Sequence, residues 1–418
     1  NDFLKFIQKT DDFDHAGWEK IKHDFGKALK RSKNLKIAAQ AATEYFNHHP
    51  EQLQKLLDKQ FYQLTHWKKT DEEINYRRFF TINELICLNI QRPEVFEEHH
   101  KFVLELVQKG YIQGLRIDHI DGLHDPKAYL QRLRQAAPNA FISVEKILEL
   151  EEHLPKDWPV QGTTGYGFLA IINHLFTRYG EADCFSSIYR KIVPEMPEYH
   201  ELVFEKKEHM LRHHMQGELN NLLRLMHQLQ LQPPHISDDD LKETLLTWLA
   251  LFPVYRLYGS KLPLSGEDDE ILHQTLNQTE QRKPHLQPAV QHLRLLFTNN
   301  TEAPGTEENR LNFLMRCQQF TGPLAAKGVE DTTFYHYNRL ISHNEVGDSP
   351  DWFGITPQYF HERMLERKQY WPQAQNATAT HDTKRGEDAR IGLNVLSEMA
   401  DEWEQAVMQW RELNHKFV

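Results

Sequence analysis

Residues 114–123 read GLRIDHIDGL, and this stretch decides how the rest of the chain is read. It starts as a strand, yet Arg116, Asp118, His119 and Asp121 crowd into six positions. A charge taken out of water is costly unless it is paired or put to use. Ionisable groups gathered at a strand end therefore mark a candidate site.

Working outward, Asp125 stands before Pro126 as an N-cap, and Tyr129, Leu130 and Leu133 give the following helix an apolar face. Pro138 and Asn139 close it, and FISVEKI (141–147) begins a second strand. A strand, a crossover helix and another strand imply a parallel pair. Upstream, PEVFEEHHKFVLELVQKG (93–110) keeps a helical period and stops at Gly110. Late in the chain NATATHDT (376–383) is β-favouring and ends in His381 and Asp382, which predicts a third strand.

Three strands thus end in acids: Asp118, Glu145 and Asp382. In parallel α/β architectures catalytic groups gather at the carboxyl ends of strands, where variable loops meet a rigid sheet. Asp118 and Glu145 are 145 − 118 = 27 residues apart, one strand–helix unit, so neighbouring strands present both on one rim. Two carboxyls about 5–5.5 Å apart are what a retaining glycosidase needs, one ionised to attack and one protonated to donate. Arg116, on the same strand face as Asp118, favours its anion. Any one of these acids taken singly reads as an N-cap or surface ion pair; three at equivalent ends do not.

The composition narrows the class. The chain has 418 residues, 39% of them hydrophobic, and its 49 basic against 60 acidic residues give a net charge of −11. With no basic excess or Lys/Arg run, nucleic acid is excluded as a partner class. The longest apolar run, LLTWLALFPVY (245–255), is too short to span a bilayer, and no signal-peptide pattern opens the chain, so a cytoplasmic location is expected. The opening at Asn1 rather than methionine leaves room for an upstream portion. Cys87, Cys184 and Cys317 form no CxxC pair, and the 25 histidines fall into no ligand spacing, so no structural metal is expected. The stripe Met215, Leu219, Leu222, Leu223 and Met226 reads as core packing, as does Leu241, Leu245, Leu246 and Leu249 behind the cap Ser237. Trp158 reads as a core residue rather than a sugar platform.

At the strand ends a family resemblance enters. GLRIDHIDGL resembles the nucleophile motif of the α-amylase clan of retaining glycosidases (glycoside hydrolase family thirteen), VEKI its acid/base motif and THD its third-carboxylate motif. Within the clan, NYRRFF (75–80), RIDHIDGLHDP (116–126), VEKILE (144–149), DWPVQGTTGY (157–166), GPLAAKGVEDTTFYHYNRL (322–340), NEVG (344–347) and ATHDTKRGEDAR (379–390) are similar to the maltooligosyltrehalose synthases. These segments cover residues 75–410 in the family's order.

The resemblance implies an intramolecular transglycosylation that turns the reducing-end α-1,4 linkage of a maltooligosaccharide into α,α-1,1, without a cofactor and upstream of a trehalose-releasing hydrolase. It implies that Asp118 is the nucleophile, Glu145 the acid and then base, and Asp382 a partner of the sugar hydroxyls. Arg116 and His381 match positions that orient the nucleophile and bind the sugar. His119, Asp121, Lys146, Tyr166, Lys384 and Arg385 flank the motifs and are the further candidates for holding substrate.

The expected architecture is α/β, part of a (β/α)8 TIM barrel at about strands four to seven with large, mainly helical insertions. Residues 1–110 form a mainly helical segment before the fourth strand and 111–170 the units bearing nucleophile and acid/base. Residues 171–370 form a helical insertion with sugar-site loops, and 371–418 the strand of the third carboxylate with its following helix. Two departures stand out. Gly167 occupies a position where the family has Asp, and the clan's third-strand motif and eighth strand find no counterpart here. An α-glucan hydrolase with the same carboxylates and an inactive carbohydrate-binding fragment are the alternatives.

Overall fold

The computed structural model describes residues 15–60, 62–298 and 303–417. Residues 1–14 of the expected helical segment lie outside them. The chain divides into two compact units, residues 1–67 and 68–418.

In the first unit, α1 (His15–Arg31), α2 (Lys33–His48) and α3 (Pro50–Leu57) follow one another. Ser32 caps α2, its hydroxyl accepting from Leu35 N at 3.2 Å, and Pro50 opens α3 where a missing N–H costs nothing.

In the second unit, β1 (Arg78–Phe79) and β2 (Ile82–Ile86) pair as an antiparallel hairpin ahead of α4 (Pro93–Gln108). The strand–helix–strand unit is present as read: β3 (Gly114–Ile117), α5 (Pro126–Ala136) and β4 (Phe141–Val144). Asp125 accepts from Ala128 N at 2.9 Å and so caps α5. β3 and β4 pair in parallel, Gly114 opposite Phe141 and Ile117 opposite Val144, and β5 (Gly162–Thr163) extends the sheet beyond β4. Leu130, Leu133, Ile142 and Val144 are fully buried between α5 and the sheet, each worth about 1.5–3 kcal/mol of transfer energy.

The helices that follow are α6 (Tyr166–Leu175), α7 (Ala182–Ile192), α8 (Tyr199–His213), α9 (Gln216–Gln228), α10 (Asp238–Ala250), α11 (Glu267–Arg282), α12 (Gln287–Phe297), α13 (Glu307–Ala325), α14 (Pro357–Tyr370), α15 (Glu387–Asn394) and α16 (Ala400–Asn414). Leu219, Leu222 and Met226 of α9 and Leu241, Leu245 and Leu249 of α10 enter one helical core, and Ser237 caps α10 through Asp240 N. Trp158 is buried edge-on to Tyr258, a core residue as expected. No helix among the described residues is long and apolar enough to cross a membrane.

The third expected strand is a correction. Residues 376–383 carry no strand. The segment runs beside β5, with one backbone bond from Gln375 N to Thr163 O at 3.1 Å. Its carbonyls are taken by side chains instead of a ladder: Arg367 holds Gln375 O at 3.1 Å and Arg390 holds Thr378 O. With only two residues in β5, no ladder is available to extend. The approach depends on Gly162 and Gly165, both at positive φ; a Cβ there would stand 2.6 Å from Ala374 Cβ and 2.5 Å from Ala377 N. The sheet thus has three strands, and the molecule around it is mostly helical.

Candidate active site

β3 stops at Ile117 and β4 at Val144, so Asp118 and Glu145 are the first residues past two adjacent parallel strands. Glu145 N donates to Ile117 O at 2.8 Å, which joins the two strand ends. The chain then turns sharply at His119, whose φ of +46° is unusual for a residue with a side chain. That turn aims His119 N at Glu145 Oε2, 2.7 Å away. The imidazole packs against both Phe79 and Phe80, with ring centroids 5.4 and 4.6 Å distant, and burial pushes its pKa down.

The two acids differ in environment. Arg116 Nη1 lies 2.5 Å from Asp118 Oδ1, and the Asp118 side chain is 55% exposed. Glu145 is half-buried, and burial raises its pKa from 4.5 to about 7, with the negative Asp121 and Asp118 pushing the same way. Glu145 is thus placed to hold a proton near neutral pH beside an Asp118 that is ion-paired to Arg116.

Asp382 arrives on the loop that replaced the third strand. Tyr166, buried at the start of α6, donates to Asp382 Oδ2 at 3.0 Å and accepts from Thr380 Oγ1 at 3.0 Å. His381 Nε2 lies 3.2 Å from the same Asp382 oxygen. Asp118, Glu145 and Asp382 line one pocket of about 330 Å³, together with His119, Asp121, His381 and Lys384.

Arg116, Lys146, Tyr166 and Arg385 are not among the described residues lining that pocket. Arg116 and Tyr166 reach it through the carboxylates they hold. Lys146 is fully buried, 3.0 Å from Glu152 and 3.6 Å from Asp121, and its ammonium lies over the Tyr255 and Tyr258 rings. Tyr258 also donates to Asp121, and Arg256 Nη1 donates to Asp121 O at 2.7 Å, so Asp121 is gripped from behind. Arg385 N donates to Glu345 Oε2 at 3.0 Å, with Lys384 N on the other oxygen. Glu345 is fully buried and also paired with Arg390 at 3.3 Å, and so ties the 384–390 loop down.

Sequence reasoning assigned no role to Phe79, Phe80, Tyr255, Lys327, Glu330 or Asp331, which also line that pocket. Tyr255 donates to Glu330, whose pKa burial raises to about 7. Asp331 bridges Lys327 at 2.6 Å and Lys384 at 3.3 Å. The signal for most of them was present, because NYRRFF and GVED had been singled out as motifs. What was missing was spatial: residues 79 and 330 line the same pocket as residue 118 although they are far from it along the chain.

Among the described residues, His174, His343 and Asp348 group closely enough to hold a metal ion. Their hydrogen bonds speak for a closed network instead. Gly354 N donates to His174 Nδ1 at 3.3 Å, which leaves the proton on Nε2 to go to Asp348 Oδ1 at 2.6 Å. Asn173 Nδ2 and Ser349 N also donate to Asp348, at 2.6 and 2.7 Å, and His343 Nδ1 lies 3.3 Å from its Oδ2.

No family model matches the chain. A curated protein of Mycobacterium tuberculosis strain H37Rv, named "Putative maltooligosyl trehalose synthase", is 33% identical over 347 residues, 83% of this chain and 42% of its own length. The solved structure of a maltooligosyltrehalose synthase from Arthrobacter ramosus aligns with a TM-score of 0.75 and 31% identity, over 85% of this chain and 44% of that one. A Sulfolobus tokodaii structure, a hypothetical maltooligosyl trehalose synthase, aligns at 0.68 and 33%, over 88% and 45%. The chain spans less than half the length of each of these relatives.

Proposed function

We propose that this chain, similar to the maltooligosyltrehalose synthases over more than four fifths of its length, carries their transglycosylation site. The fold reading goes with it: the three-stranded sheet and the 376–383 loop are the fourth to seventh positions of a (β/α)8 barrel, with boundaries at 110, 170 and 370.

Asp118 attacks the anomeric carbon of the penultimate glucosyl unit while Glu145 gives its proton to the leaving O4. The C1–O4 bond breaks and a covalent glycosyl-enzyme forms. The released glucose stays bound, turns, and presents its own anomeric hydroxyl. Glu145, now the base, takes that proton as the hydroxyl attacks C1, and Asp118 leaves. The product ends in an α,α-1,1 linkage, which a trehalose-releasing hydrolase would consume. Asp382, held by Tyr166, hydrogen-bonds the sugar being distorted. Lys384 and the Lys327–Asp331 pair line the space the free glucose must occupy.

The observation that carries this reading is the pairing of a proton-holding Glu145 with an arginine-bound Asp118 in the one pocket that also contains Asp382. A second reading has its own support. The Asp118 and Asp382 side chains are 55% and 50% exposed, so water reaches the site, and water in place of the glucose makes the same chemistry a hydrolysis.

Incubation with maltopentaose separates them. Loss of reducing ends without chain shortening, abolished by Asp118→Ala, is the expected result. Free glucose or maltose supports the hydrolase. Turnover that survives Asp118→Ala overturns both, and binding of maltopentaose without turnover leaves a carbohydrate-binding fragment.

A further inference from the structure

A cavity of about 290 Å³ lies between the β1–β2 hairpin, residues 122–124 and α13. None of the three carboxylates of the proposed reaction lines it. Arg77, immediately before β1, and Cys87, immediately after β2, form its hairpin side, and Cys87 N donates to Arg77 O at 2.8 Å. Arg316 and Gln319 enter it from α13.

Two guanidiniums line this space and no carboxylate does, in a chain whose net charge is −11. The next arginine in sequence is held quite differently. Arg78 is buried, 2.8 Å from Glu218 and 2.6 Å from Asn83 Oδ1, and donates to His214 O at 2.9 Å. Among the described residues Arg77 donates only to Gly122 O, at a long 3.3 Å, and Arg316 only to Gln319 Oε1, at 2.8 Å. Gln319 Nε2 donates in turn to Gly122 O at 2.8 Å, so one carbonyl and one amide tie both guanidiniums to the same wall. Each guanidinium has five N–H donors, and most of these are left unengaged.

The neighbours register the positive charge. Burial pushes Arg77 down to about 10, with Arg316 and Arg256 acting the same way, and burial together with those two arginines pushes His124 down to about 4. Arg256 itself is taken up by Asp121 O, Leu123 O and His124 O. Partly buried like charges without a counter-ion are costly, and an arriving anion relieves that cost. The guanidinium fork matches the oxygens of a phosphoryl group. Leu88, Ile90 and Leu123 line the remainder, and the volume is roughly ten times the ~30 Å³ share of one water, so a small organic group fits beside the anion.

The geometry points to an anion site between Arg77 and Arg316 that takes a phosphoryl group, as inorganic phosphate or as a small phosphomonoester. It does not rest on the proposed reaction.

Titration calorimetry with inorganic phosphate and with glycerol 3-phosphate tests it, at fixed ionic strength so that screening is constant. Both should bind. Arg316→Gln should weaken both at least tenfold, while Asp382→Ala leaves them unchanged. Tighter binding of glycerol 3-phosphate identifies the ester as the ligand, and equal binding identifies the free anion. Acetate that binds as tightly as phosphate overturns the phosphoryl assignment. No binding, or binding indifferent to Arg316→Gln, overturns the site. A measurement on the unsubstituted chain covers a variant that folds poorly. Cys87 is half-buried in the cavity wall, where burial raises its pKa and Arg77 opposes that rise. Phosphate that neutralises Arg77 should therefore slow iodoacetamide labelling of Cys87, read by peptide mass spectrometry, and leave Cys184 labelling as it was. Cys87 labelling that is equal with and without phosphate overturns the site.

Discussion

Asp118 and Asp382 face the same pocket but are held there by different means. Asp118, like Glu145, is the residue at which a strand stops, and the sheet register places the pair before any side chain is considered. Asp382 sits on a loop without a ladder and owes its position to Tyr166, Thr380 and the arginines that hold the loop's carbonyls. A backbone-placed group tolerates side-chain changes around it; a network-placed group moves when one member is lost.

The largest effect expected is at the strand-placed pair. Glu145→Gln should lower turnover by about 10²–10⁴-fold, because it removes the proposed proton donor and leaves the sheet intact. The unsubstituted chain should be active below about pH 7, where Glu145 holds its proton, and lose about tenfold per pH unit above it. An alkaline limb near the ordinary glutamate value of 4.5 would break the comparison, since it would mean that the site does not shield Glu145.

Next is the network-placed group. Tyr166→Phe removes one charge-assisted hydrogen bond of about 1.5–3 kcal/mol, so activity should fall roughly ten- to a hundredfold with the pH limb unmoved. A Tyr166→Phe enzyme with native rates would show that the loop holds Asp382 by itself.

The smallest effect concerns Gly167. Gly167 lies in the first turn of α6, has open space beyond its Cα, and does not line the carboxylate pocket. Gly167→Asp should therefore raise stability by roughly 0.5–1 kcal/mol in thermal unfolding, through helix propensity and the helix dipole, and leave turnover unchanged.

How much could be read beforehand differs between these regions for a physical reason. The β3–α5–β4 unit was readable because its signals are local: a cap at Asp125, a proline at 126, apolar alternation and carboxylates at the ends. The strand expected at 376–383 was misjudged because β propensity reports a liking for pleated surface, and a neighbour with a free ladder is also needed. Lys146, adjacent in sequence to Glu145, points to the opposite side and pairs with Glu152, as alternate positions past a strand do. Glu330 and Tyr255 were invisible as a pair, since 75 residues separate them.

The amino-acid sequence by itself determined which acids stand at the ends of β3 and β4 and that the two strands run in parallel, because both follow from interactions between residues close along the chain. Only the tertiary structure decided that Asp382 joins them from a loop and that burial raises the proton affinity of Glu145. Those outcomes depend on burial and on contacts between distant segments, which no local pattern encodes.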